Sequence, residues 1–240
     1  MENTINKTIG EIVAEDYHFA AIFEKHGIDF CCNGHRSLSD VCASKNINPL
    51  DLIQELEQVK QNHTGRAIDY QSWPIDLLAD YIEKKHHRYV DETIPILQQY
   101  LEKLCAVHGA HHHELFEITR HFNASAGELT VHMKKEEFIL FPFVRKMMKT
   151  KNSDEKITPP HFGTVKNPIK MMMYEHDNEG NRFRTIHELS NGYTPPADAC
   201  NIYKVTYAML KEFEDDLHLH IHLENNILFP KSIAMEASLN

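Results

Sequence analysis

Two eleven-residue segments, HMKKEEFILFP from His132 to Pro142 and HIHLENNILFP from His220 to Pro230, lie 88 residues apart and share six identical positions. Each carries a histidine, a glutamate four residues on and a closing Ile-Leu-Phe-Pro. In a helix, H-x-x-x-E sets imidazole and carboxylate one turn apart on the same face. Two copies supply two nitrogen and two carboxylate ligands, a donor set suited to a pair of iron or manganese ions. Single histidines extend the set: His86 precedes His132 by 46 residues and His176 precedes His220 by 44, corresponding places in two helix pairs. The six candidates are therefore His86, His132, Glu136, His176, His220 and Glu224. They can hold two ions, each with two histidines and two bridging carboxylate oxygens, leaving one or two positions for an oxo group, water or substrate. Zinc more often takes four ligands around one ion, and ferritin-like bundles use Glu-x-x-His instead. One H-x-x-x-E in a chain with eighteen histidines is readily a solvated helix face. Two in register, each preceded by a matching histidine, are not. His87 falls about 100° round the helix from His86, and His218 and His222 about 200° from His220, so all three are set aside.

A second cluster is Cys31-Cys32, between Phe30 and the turn-forming pair Asn33-Gly34. A loop beside a helix end can present thiols to oxidants, metals or a partner, and adjacent cysteines close on each other only through a strained ring. The alternative is a pair of small buried side chains. Cys42, Cys105 and Cys200 fall on or beside helices and read as packing residues.

The elements that must position these groups are helical. Hydrophobic residues make up 42% of the 240, with only nine glycines and few β-branched runs. Residues 1–60 form a small helical module. Thr8 and Glu11 fit a capping box for a first helix running to Lys25 or His26, and Gly27 supplies its stop. Ser37 or Ser39 opens a second helix, and Asn48-Pro49 a third. A polar linker spans 61–73, and a larger unit follows over 74–235. Its four amphipathic helices cover about 75–107, 111–149, 168–190 and a last one ending near Ile233. The third and fourth are joined by NGYTPPAD, with Pro195-Pro196 at the start of the fourth. Residues 150–167, with Asp154 and Pro159-Pro160, form a loop. The expectation is an all-α chain, an up-down-up-down four-helix bundle with a small N-terminal helical domain.

The formal charge of −10, with no basic block, argues against nucleic acid as a partner. No secretory signal pattern opens the chain and no 18-residue apolar run occurs, so no membrane is expected. Five cysteines, two of them adjacent, suit a reducing cytoplasm better than a disulfide framework.

The H-x-x-x-E/LFP repeats and the single helical histidines resemble the hemerythrin-like di-iron bundle. IDFCCNG followed by such a bundle is similar to the family that repairs iron–sulfur clusters damaged by oxidative and nitrosative stress. The resemblance covers nearly the whole chain. It implies two iron ions, with Glu136 and Glu224 bridging them beneath an oxo group, and a functional role for Cys31 and Cys32 as a relay or an iron or NO contact. It also implies damaged iron–sulfur proteins as partners. A nitric oxide reductase at the same centre and an iron- or oxygen-sensing module are the competing readings. Oxygen-carrying hemerythrins have a further H-x-x-x-H on the third helix, where this chain has Met172 and Gly180 around His176. Fewer nitrogen ligands favour redox chemistry or iron transfer. The linker permits docking of the N-terminal module, free motion or exchange between protomers of a homodimer.

Overall fold

The computed structural model describes residues 2–62, 68–151, 153 and 157–239. The expected linker over 61–73 and loop over 150–167, Asp154 included, therefore lie partly outside the described residues. After a one-turn helix, Glu2–Ile5, Thr8 caps α1 (Ile9–Glu15). Its hydroxyl accepts from the Glu11 N–H at 3.2 Å, and the Glu11 carboxylate accepts from the Thr8 N–H at 2.8 Å. That reciprocal pair satisfies two donors that helix geometry leaves over. The helix does not run on to Lys25, as the apolar spacing predicts. Asp16 takes an extended backbone and its carboxylate accepts from the His18 N–H, a local bond that competes with helix. A short 3-10 turn, Tyr17–Phe19, separates α1 from α2 (Ala20–Lys25). Ser37, not Ser39, caps α3 (Leu38–Lys45), and α4 follows over Pro49–Asn62.

Four longer helices make the bundle: α5 over 75–108, α6 over 114–151, α7 (Lys166–Leu189) and α8 over 201–239. Each packs on its sequence neighbour, and α8 closes back onto α5, so the connectivity is up-down-up-down. The fourth helix begins at Asn201, not at Pro195-Pro196. The Ala199 N–H closes a turn onto the Pro196 carbonyl and Cys200 stays extended, which delays the first helical residue. Three bundle helices each contain a π-turn: Ile82–His87 in α5, Glu136–Leu140 in α6 and Glu224–Leu228 in α8. A π-turn takes in one extra residue, so everything beyond it is turned by about 100° relative to an unbroken helix. Two of the three begin at the glutamates of the repeats.

Buried apolar side chains form two clusters along the bundle. One joins Leu97, Leu101, Phe122, Phe183 and Leu217 to Ile9, Ile12 and Phe30 of the N-terminal module. The other joins Ile82, Phe141, Met172, Leu228 and Phe229. The module therefore shares a core with the bundle, each such fully buried side chain contributing about 1.5–3 kcal/mol. Close approach to α8 depends on glycine. A Cβ on Gly10 would sit 2.2 Å from Asn226 Oδ1, and one on Gly34 would sit 2.7 Å from the same atom. Among the described residues, no helix is long and apolar enough to cross a membrane.

Candidate metal centre

Between the two apolar clusters, side chains from all four bundle helices converge in two groups. One is His87, Glu136, His220 and Glu224, and the other is His132, Glu136, His176 and Glu224. Within each group one ligand atom per residue lies within 4.8 Å of every other, all eight memberships are buried, and both carboxylates belong to both groups. Contact distances are short: His87 Nε2 to Glu136 Oε2 3.3 Å, His132 Nε2 to the same oxygen 3.4 Å, His176 Nε2 to Glu224 Oε2 3.1 Å, and His220 Nε2 to Glu224 Oε1 3.3 Å.

These contacts are not aligned as hydrogen bonds. Both carboxylate oxygens of Glu136 and of Glu224, with Nε2 of His87 and His220, are buried without a hydrogen-bond partner. Leaving so many polar atoms unpaired in a core is costly, and cations held between them would satisfy them together. Four imidazoles and two carboxylates suit iron, so the residues fit the metal that the fold implies.

Outer partners fix the rings, as they do for metal-bound histidines generally. His87 Nδ1 lies 3.0 Å from Glu137 Oε1, His132 Nδ1 2.8 Å from Glu175 Oε2, and His176 Nδ1 2.9 Å from Asn225 Oδ1. Glu137 and Asn225 each directly follow a repeat glutamate, so the repeat supplies a ligand and, one residue on, a clamp for the histidine of the preceding helix.

The structure brings together five of the six residues chosen by spacing and replaces the sixth. His87, not His86, reaches the carboxylates. The cause is the π-turn Ile82–His87, which rotates the end of that turn by the 100° that set His87 aside. His86 lies behind the site: its Nδ1 is 3.0 Å from Asp216 and its ring stacks on His220 at 5.5 Å. It stands where Glu175 stands in the other half, directly before the group's histidine. The offset contained the signal, since His87 to His176 is 89 residues, against 88 for the repeats, whereas His86 gives 90. His222 and His218 face the N-terminal module. His222 packs on Tyr17 and Phe30, and burial pushes it down to about 3.

Electrostatics in the metal-free fold follow from crowding two carboxylates in a dry core. Burial, then the Glu224 charge, pushes Glu136 up to about 8. Burial opposes ionisation of Glu224 as well, but His220 and His176 hold it well below the usual carboxylate range. Burial disfavours charge on His176, yet Glu224 and Glu136 raise it to about 9. The His132 contact, reinforced by Lys135, holds Glu175 down at about 2. A cavity of about 220 Å³ lined by Glu128, His132, Glu175, His176 and Glu179 opens onto this side of the centre.

The cysteine loop lies against the same centre. Cys31 and Cys32 are buried, 4% and 7% exposed, rather than presented at the surface. Cys32 Sγ donates to the His176 carbonyl at 3.4 Å, and Asn225 Nδ2 donates to the Cys31 carbonyl at 3.1 Å. Gly180 makes room, since a Cβ there would sit 3.1 Å from Cys32 Sγ. The neighbouring Cys32 thiol and burial hold the Cys31 thiol well above its ordinary range.

A helical bundle with paired histidine–carboxylate groups defines a hemerythrin-type cation-binding protein. Residues 78–232 match the family described as the hemerythrin HHE cation-binding domain, and residues 5–60 match a domain of unknown function, DUF542. The iron–sulfur cluster repair proteins YtfE of Yersinia pseudotuberculosis serotype IB (strain PB1/+) and of Yersinia pestis (strain Pestoides F) are each 31% identical to it over 231 residues, covering 96% of this chain and 98% of theirs. The chain belongs to this family of iron–sulfur cluster repair proteins.

Proposed function

We propose that this chain is a di-iron protein that restores damaged iron–sulfur clusters. One iron would be held by His87, Glu136, His220 and Glu224, and the other by His132, Glu136, His176 and Glu224. The observation that carries the reading is that both buried carboxylates belong to both groups. Two imidazoles and two shared carboxylate oxygens per ion leave coordination positions open. When bound, the irons supply electrons and Lewis acidity. The protein holds the rings through Glu137, Glu175 and Asn225 and keeps the site dry between two apolar clusters. The cavity at His132 and His176, edged by Glu128, Glu175 and Glu179, is an acidic path suited to a departing or arriving ferrous ion. This supports iron supply to cluster proteins damaged in the cytoplasm under oxidative and nitrosative stress. Cys32, whose Sγ donates to the His176 carbonyl, and Cys31 beside it serve as the relay or receiving point for iron or NO.

The first test is metal content and optical spectrum of protein purified with its native metal. Two irons in the bundle centre, marked by oxo-bridge absorption, are expected, and a bundle centre that holds a single ion or zinc alone would refute the reading. A second reading, nitric oxide reductase, is favoured by the same opening, which also admits diatomic molecules. Two NO with two electrons and two protons give N2O and water, and two ferrous ions held by the two groups would supply the two electrons. Anaerobic assay separates the readings: repeated N2O release supports the reductase, iron transfer to an apo-cluster protein supports repair. A chain that does neither is a sensing module.

A further inference from the structure

Outside the bundle centre, the described residues bring one more set of metal-binding groups together: Asp29, Cys31 and Cys32. Cys31 Sγ is 3.4 Å from Asp29 Oδ1 and 3.7 Å from Cys32 Sγ. A disulfide needs about 2.05 Å between sulfurs, so the thiols are unbridged and share a hydrogen bond instead. Their spacing matches the edges of a tetrahedron around a cation. With metal–sulfur bonds of about 2.3 Å and metal–oxygen bonds of about 2.0–2.2 Å, tetrahedral geometry puts sulfurs roughly 3.8 Å apart and sulfur and oxygen roughly 3.6 Å apart. A two-coordinate linear ion would instead need its sulfurs about 4.6 Å apart, twice that bond length. The loop is already braced in this arrangement. Asp29 Oδ1 accepts from the Cys32 N–H at 2.9 Å, and Oδ2 accepts from Asn33 Nδ2 at 2.8 Å and from Arg184 at 3.0 Å. Arg184 supplies a positive charge beside a group that would carry three negative ones, which offsets the net charge left by a divalent ion. A cavity of about 230 Å³ reaches Asp29, Cys31, Gly180 and Arg184, giving room for a fourth ligand from solvent or from a cargo.

We propose that Asp29, Cys31 and Cys32 form a second, mononuclear site for a tetrahedral divalent cation, ferrous iron or zinc, separate from the bundle centre. Binding releases the two thiol protons to solvent and leaves a site of two thiolates, one carboxylate and one exchangeable position. The site stands on the N-terminal loop's own geometry, whatever chemistry the bundle centre performs.

Cobalt titration of the full chain tests this. The bundle groups contain no sulfur, so a sulfur-to-cobalt charge-transfer band with intense tetrahedral visible bands reports a cysteine site, and its loss in the Cys31 and Cys32 variants separates the loop from exposed Cys200, which lies 3.1 Å from His108 Nε2. The band is expected in the wild-type chain and in the Glu136→Ala/Glu224→Ala double variant. It is expected to vanish in Cys31→Ser and in Cys32→Ser. Asp29→Asn keeps an oxygen to accept the Cys32 N–H, so the loop persists by circular dichroism, while cobalt affinity should fall roughly tenfold or more. No band at excess Co2+ in the wild-type chain, or a band that survives both serine substitutions, would overturn the proposal. A wrong bundle assignment would show separately, as an unchanged total metal count in the double glutamate variant.

Discussion

Replacing His87 with alanine tests the site at the point where structure and residue spacing part. His87 contributes one of the two nitrogens in its group, 3.3 Å from a shared carboxylate oxygen. Without it, that ion keeps one imidazole and two carboxylates that it must share with its neighbour. Loss of a mere outer partner typically weakens metal binding 10–100-fold. Removal of a ligand should therefore cost more than roughly 100-fold, or about 2.7 kcal/mol. His86→Ala removes the partner of Asp216 and the ring stacked on His220, but takes no atom from either group, so about tenfold is expected. Anaerobic loading with ferrous iron against a competing chelator, followed by metal analysis, reads the difference directly. At a chelator strength that leaves two ions on the wild-type chain, His87→Ala should keep one and His86→Ala two. His87→Gln, which refills most of the space beside Phe141, should behave like the alanine variant. Loss of an ion from His86→Ala with both retained in His87→Ala would refute the reasoning.

Chelated protein should lose thermal stability as pH rises from about 6.5 to 9. Glu136 at about 8 against an ordinary 4.5, and His176 at about 9 against 6.5, both hold protons in the fold that the unfolded chain has released. Their contribution is complete below the ordinary values and vanishes as pH passes the folded ones. His86 and His222, held low by burial, act oppositely but only below about 6.5. A melting temperature that climbs across that window would contradict the assignment, and the iron-loaded protein should be nearly flat there. Gly34→Val drives a side chain into the Phe30 carbonyl and Asn226, an overpacking worth about 1–3 kcal/mol. Its melting temperature should drop by roughly 2–12 °C, with proteolysis in the N-terminal module increased and bundle iron retained. Unchanged melting and proteolysis would show that the module does not need this contact. Glu175→Ala frees His132 Nδ1 and should weaken the ion at His132 and His176 about 10–100-fold while sparing the other. Equal loss of both ions, seen by chelator competition, would argue against separate outer supports.

The helices and most of the centre were legible because their signals are periodic. Apolar spacing and capping residues located the bundle helices and the module's helices, with α1 and α2 read as one, and the H-x-x-x-E repeat carries both carboxylates and two histidines in one register. What escaped was local. Asp16 diverts the chain with a side-chain hydrogen bond that apolar periodicity does not register. The π-turn at Ile82–His87 defeats a wheel drawn at 3.6 residues per turn, and so exchanges His86 for His87. Glu175 carries no spacing signal of its own, since it acts on His132 across elements far apart in sequence, while Asp29 acts within its own irregular loop, where no periodicity marks it. The repeat's second copy did hold a hint: Asn225-Asn226 replaces Glu137-Phe138 where the module docks, while Phe138 is 74% exposed.

One amide gives these parts a common currency. Asn225 accepts or donates on both sides, 2.9 Å from His176 Nδ1 and 3.1 Å from the Cys31 carbonyl. Metal occupancy and seating of the cysteine loop are then thermodynamically linked, and linkage is reciprocal. If a filled centre tightens the loop by some factor, a seated loop tightens the metal by that same factor. Anything that grips or displaces the loop would thereby set how firmly a metal in the centre is held.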